Sequence, residues 1–189
     1  VEKAYELIAK KNYADAEATL KKALKISRVE PRVYAGLGEV YFEQKNYNDA
    51  LAKIQRAIDL SPASMKYRVK QAKIYSSKGQ FKDALESYQQ AAEIDPKNGV
   101  VYYNLGVLYL EKKDIDKAHE YLEMSVRLDE DSFGPHEALS RVYSQKKKYD
   151  KAVVEINEAI KLRNDEPSLH LTLGALLVKS DKENQAENV

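Results

Sequence analysis

An all-α stack of helical hairpins is the fold class this sequence predicts, and three observations carry it. Alanine returns at steps of 34, at Ala16, Ala50, Ala84, Ala118, Ala152 and Ala186. Two more small-residue series keep that step. One is Ala4, Gly38, Ala72, Gly106, Ser140 and Gly174, and the other is Ala23, Ala57, Ala91, Ser125 and Ala159. Within each period, apolar residues fall twice into steps of three and four around a short polar break, the spacing of two amphipathic helices. A fixed period of this size marks stacked repeats whose core is a strip shared between neighbours.

Taken in order, 1–30 is a partial unit, and Val1 to Lys10 is the latter part of its first helix. Complete units cover 31–64, 65–98, 99–132 and 133–166, and 167–189 is a partial unit or capping helix, so the chain reads as one solenoid domain. In the unit from Pro31 to Ser64, Tyr34, Leu37, Gly38 and Tyr41 share one helix face. Tyr47, Ala50, Leu51, Ile54, Ala57 and Ile58 share the second. Pro62 and Pro96 lie past the ends of second helices, where a ring without an N–H does least harm. Each helix is expected to run about 12 to 14 residues.

Glycine inside a helix costs ~1 kcal/mol relative to alanine. Gly38, Gly106 and Gly174 therefore predict a neighbouring backbone close to each. Tyr41, Tyr75, Tyr109 and Tyr143 form a ladder with rings inside and hydroxyls at the wet edge. Near the end, Leu169, Leu171, Leu173, Leu176, Leu177 and Val178 are more apolar than a capping helix should be. Either Asn184 to Val189 opens a further helix over them, or more chain or a partner covers them. The chain opens on Val1 inside a repeat and reads as a segment of a longer protein.

Composition narrows the function classes. Charged residues make up 32% of the 189 positions but cancel to a net +1, which offers no global attraction to nucleic acid or an anionic membrane. Without cysteine there is no disulfide and no thiolate metal site. No apolar run approaches a membrane span and no signal-peptide layout opens the chain, so a soluble protein is expected, with the cytoplasm favoured. No nucleophile elbow, zinc helix or phosphate loop is present, and Gly36-Leu37-Gly38 lacks the third glycine of a dinucleotide loop. The expectation is a non-enzyme with no catalytic residue, metal or cofactor. His136 and His170 share a repeat position and read as structural, while His119 reads as solvated. Lysines gather at turns inside hairpins and acids at turns between them, the order that helix-end electrostatics favour.

These positions carry a family resemblance. Tyr102-Tyr103-Asn104-Leu105-Gly106-Val107-Leu108-Tyr109 followed by Ala118, and Ala84, Tyr88 and Ala91 followed by Asp95-Pro96, resemble the tetratricopeptide repeat. Glu130 and Asn164 depart from its proline and Gln71 from its leucine, and Lys45, Lys113 and Lys147 occupy a turn position that suits Gly79 better. The resemblance implies a right-handed α-solenoid whose first helices line a concave groove. On that basis Glu39, Lys66, Lys70, Lys73, Val100, Tyr103, Asn104, Val107, Leu110 and Arg141 are the expected partner-binding residues.

Lys66, Lys70 and Lys73 stand on one face at steps of four and three, a like-charge cluster that an acidic ligand would relieve. Val100, Tyr103, Val107 and Leu110 make an apolar strip expected to be exposed, and Asn104 could hold a ligand backbone. The family's carboxylate clamp would need lysine, asparagine and arginine where Val69, Lys73, Gly134 and Ala138 stand, which argues against a chaperone-tail adaptor. The expected partner is a protein or peptide with acidic and apolar residues. Nucleic acid fits poorly, because Glu39, Glu43 and Glu137 face the same groove. The competing expectations are a scaffold that self-assembles through its edges or terminal repeats, and a regulatory arm of a larger protein.

Overall fold

The computed structural model describes residues 1–187, with side chains through Asp181. Its helices come in pairs: α1 (Glu2–Ala9) and α2 (Tyr13–Ile26), α3 (Pro31–Glu43) and α4 (Tyr47–Leu60), α5 (Met65–Ser77) and α6 (Phe81–Ile94). The series goes on with α7 (Gly99–Glu111) and α8 (Ile115–Leu128), α9 (Phe133–Gln145) and α10 (Tyr149–Leu162), and ends with α11 (Pro167–Glu187). No strand occurs among the described residues. Complete first helices have 13 residues and second helices 14, and equivalent helices start 34 positions apart, as the periodicity requires. The chain forms two compact units, one from Val1 to Pro96 and one from Lys97 onward.

The turn inside each hairpin explains its sequence. After α3, the Asn46 N–H donates to the Tyr41 carbonyl and the Lys45 N–H to that of Phe42, closing the helix with a reverse turn. The same pair of bonds recurs in the other four hairpins. It requires a left-handed residue, supplied by Gly79 at φ 73° and by Lys11, Lys45, Lys113 and Lys147 at φ 57–61°. Four hairpins thus hold a lysine in a conformation that glycine adopts without steric cost. The second helices begin at once. Asn12 and Asp114 cap α2 and α8 by accepting from the backbone N–H groups of Asp15 and Lys117.

In the first unit, Ala4, Ala16, Leu20, Val33, Leu37 and Val40 form one buried cluster. Ala35, Ala50, Ile54, Ala57, Ile58, Tyr67 and Ile74 form the next. The glycines answer to contact. A Cβ on Gly38 would lie 2.7 Å from Ile54 and 3.2 Å from the Ala50 carbonyl oxygen, and one on Gly36 would meet Leu20 at 3.1 Å. In the second unit a Cβ on Gly106 would lie 2.5 Å from Leu122 and 3.3 Å from the Ala118 carbonyl oxygen.

Gly174 corrects the expectation. Nothing lies within 4 Å of its would-be Cβ, because α11 runs on as one helix instead of folding back into a second. The further helix expected from Asn184 is not separated from α11, and the side chains there, Ala186 included, lie outside the described residues.

Tyrosine hydroxyls link successive hairpins. Tyr41 donates to Glu17 on α2 at 3.0 Å, and at the same repeat position Tyr143 meets His119 on α8 at 2.9 Å. His119 is therefore not simply solvated: its ring meets the Tyr143 ring edge-on, and Glu123 lies 3.4 Å away. His136 is structural, paired with Glu155 on α10 at 2.8 Å. His170 meets the Asn164 carbonyl. Turn lysines also cross between hairpins within each unit: Lys78 donates to Asn48 and Lys146 to Asp116.

Candidate functional site

In the first unit, α3 and α5 place the expected residues around one cavity of about 330 Å³. Its floor is apolar, with Phe42, Val69, Ile54 and Ile74, and its rim carries Glu39, Glu43, Lys66, Lys70 and Lys73. The 34-residue step between α3 and α5 creates it, since equivalent faces of consecutive first helices lie side by side. Gly38, among the lining residues, lets Ile54 come close and keeps the floor low.

The lysine cluster behaves differently from the bare sequence. Lys70 is neutralised from the neighbouring hairpin, its ammonium 2.6 Å from the Glu39 carboxylate, with both side chains partly shielded from water. The expected like-charge repulsion is therefore partly relieved inside the chain. Lys66 and Lys73 form no ion pair among the described residues. Desolvation first, and then the charge of Lys70, lower the Lys73 ammonium below the usual lysine range, while Glu39 pulls the other way. The side chain of Lys73 still reaches water, so this cation is partly stripped of solvent but remains open to a ligand.

A second cavity of about 270 Å³ shares Lys66 and Lys70 and adds Tyr5, Arg32, Ser64 and Tyr67. Arg32 pairs with Glu2 at 2.5 Å, and its guanidinium lies 6.0 Å from the centre of the Tyr5 ring. Burial, and then the charge of Glu39, push the Tyr5 phenol up to about 12, and its hydroxyl donates to the Arg32 carbonyl at 3.0 Å. Tyr5 and Tyr67 line this cavity although neither is among the residues expected at the groove. The available signal was Tyr67, an aromatic at the position where other units carry Val33 and Val101.

In the second unit the expected apolar strip is narrower than its pattern. Val100 is half exposed, Tyr103 and Val107 are partly buried, and Leu110 is buried. Helix α7 is apolar around nearly its whole circumference, the pattern of a helix covered on several sides, and a leucine there is withdrawn from water. The Tyr103 ring lies against Gly134, where a Cβ would come within 3.4 Å. Burial and then Glu137 raise the Tyr103 phenol, with Arg141 opposing. Asn104 donates to the Val100 carbonyl at 2.6 Å, so part of its amide serves its own helix. Arg141 is exposed and lines a shallow cavity with Ser144, Leu171, Ala175 and Lys179.

No group of three metal-ligating side chains occurs among the described residues. No described helix is long and apolar enough to cross a membrane.

Comparison with known proteins bears on the fold. A search of curated proteins finds no sequence match. Among solved structures, a thermophilic TPR protein of Thermus thermophilus superposes with a TM-score of 0.79 at 19% identity, covering 94% of this chain and 97% of that one. The crystal structure of MamA gives 0.70 at 20% identity, covering 87% and 96%. YrrB, described as a TPR protein with an unusual peptide-binding site, gives 0.65 at 21%, covering 91% and 87%. Family models for the tetratricopeptide repeat match residues 7–73, 100–132 and 136–166, and a TPR-repeat model matches 72–113. With matches along most of its length and hairpins at the repeat's own period, the chain belongs to the tetratricopeptide-repeat family.

Proposed function

We propose that this chain is a protein-interaction module that holds a peptide segment against the first helices of its hairpins. The ligand places acidic side chains on Lys66 and Lys73 and an apolar side chain on the floor made by Phe42, Val69 and Ile74. The observation that carries this reading is Lys73, a partly desolvated cation that forms no ion pair among the described residues and lines a cavity with an apolar floor. A carboxylate there would replace lost hydration and relieve the neighbouring lysine. Taken by itself, the second unit offers a separate apolar contact surface for a peptide, the half-exposed Val100 and the Tyr103 ring, with Val107, Asn104 and Arg141 on the same pair of first helices. YrrB supports a peptide ligand as an analogy, since its likeness to this chain shows the fold alone.

Lys73 separates binding from stability. Removing a desolvated charge should not weaken the fold, so Lys73→Met is expected to keep or raise the melting temperature while weakening an acidic peptide about tenfold, or ~1.4 kcal/mol. Thermal melts check the first half, and fluorescence anisotropy with a labelled peptide of alternating Glu and Leu, in a salt series, checks the second. Equal affinity for the two proteins would remove this groove from the account.

A further inference from the structure

The smaller cavity of the first unit, at the start of α5, carries hydrogen-bond donors where the larger one has an apolar floor. Ser64 is the N-cap of α5, yet its hydroxyl makes no cap bond, and the first turn of α5 holds no acidic residue. At the equivalent position before α3 stands Glu30, whose carboxylate accepts from the Arg32 N–H. An anion at a helix N-terminus satisfies its free N–H groups and complements the helix dipole. The chain therefore supplies its own anion to α3 and none to α5.

Tyr67 is an independent sign of an anion here. It lines the cavity, only 8% of it is exposed, and its hydroxyl has no hydrogen-bond partner among the described residues. A hydroxyl buried without a partner is costly, and the neighbouring Tyr5 avoids that cost by donating to the Arg32 carbonyl. Burial first, and then the charge of Glu30, raise the Tyr67 phenol against Arg32, so it keeps its proton and can donate it. Lys66 brings a cation with no ion pair among the described residues. Arg32 and Lys70 are engaged by Glu2 and Glu39, but each has further N–H donors.

We propose that this cavity binds the phosphoryl group of a phosphorylated side chain in the peptide ligand. A phosphate monoester offers more acceptor oxygens than a carboxylate and about twice the charge, which suits a site with donors from Ser64, Tyr67, Lys66 and the first turn of α5. The inference rests on the groove reading above for its peptide, since the two cavities share Lys66 and Lys70. Those shared lysines put the phosphoryl group beside an apolar floor, which favours a peptide over a lipid headgroup.

The test uses the whole chain and the Glu–Leu peptide, with phosphoserine substituted for each Glu in turn. At one position, or two neighbouring ones, affinity is expected to rise about tenfold over the parent peptide, with amide shifts at Lys66 and Tyr67. Tyr67→Phe keeps the ring and should keep the melting temperature. It should cut that gain below about threefold and leave the affinity of the parent peptide unchanged. The two readings fail separately. Equal binding of the parent peptide by Lys73→Met would remove the groove reading and this subsite with it. No phosphoserine gain beside a parent peptide that Lys73→Met weakens would remove this subsite alone. A gain spread evenly over all positions and kept by Tyr67→Phe would also overturn it, because plain charge attraction would then explain it. So would binding to vesicles containing a phosphoinositide that Tyr67→Phe abolishes, without any phosphoserine gain, since the phosphoryl group would then belong to a membrane.

Discussion

Gly106 and Gly174 occupy the same repeat position in the same unit, and replacing each by alanine should move stability in different directions. At Gly106 the new Cβ would lie 2.5 and 2.7 Å from Leu122 side-chain carbons, where carbons normally rest about 3.5–4.0 Å apart. Leu122 is fully buried and the Ala118 carbonyl oxygen stands at 3.3 Å, so neither the side chain nor α8 can yield freely. Overpacking of this kind costs about 1–3 kcal/mol. The gain in helix propensity from glycine to alanine is about 1 kcal/mol and is common to both sites. At Gly174 nothing opposes it.

Gly174→Ala should therefore stabilise by up to ~1 kcal/mol, and Gly106→Ala should fall about 1–3 kcal/mol below it. For a chain of this size that separation is roughly 2–12 °C in melting temperature. Urea and thermal melts followed by circular dichroism would measure it. Equal shifts at the two sites would refute the claim that close helix contact selects glycine at this position.

Other consequences follow from single residues. Lys113→Gly removes a left-handed lysine from the α7–α8 turn and should stabilise by about 0.5–1 kcal/mol in a urea melt, whereas Lys112→Gly, outside that conformation, should not. The Tyr5 phenol, raised from 10.0 to about 12 by burial and then Glu39, favours the fold while protonated. Its contribution is complete below about pH 10 and is lost as the pH rises towards 12, so Tyr5→Phe should flatten the loss of melting temperature between pH 9 and 12. Glu17, lowered chiefly by its hydrogen bond from Lys21 and also by Tyr41, works in the opposite sense. Its contribution holds above the usual carboxylate range and fades as acid protonates it, and Glu17→Gln should remove that part of the acid sensitivity.

The architecture was legible because one period governs every level. The alanine series fixes where helices touch, and the helices start at that same step, from Pro31 to Met65 to Gly99. The turn lysines were readable too, since a residue standing where Gly79 stands elsewhere must share its left-handed backbone. What the period could not show was contact that depends on the particular side chain. Glu39 neutralises Lys70 because both point into the same space between hairpins, and single-helix spacing carries no trace of that. Leu110 is buried although its position predicts a groove, because α7 is apolar on nearly every side. Gly174 obeys the period in sequence and departs from it in space, because its helix continues where the others turn.

The most direct trial of the account is an affinity selection from a random peptide library on the immobilised chain, run beside a Lys66→Ser/Lys73→Ser variant. Enrichment of segments that pair Asp or Glu with a large apolar residue is expected, with loss of the acidic preference in the variant. Enrichment without acidic residues, or the same preference in both proteins, would contradict it.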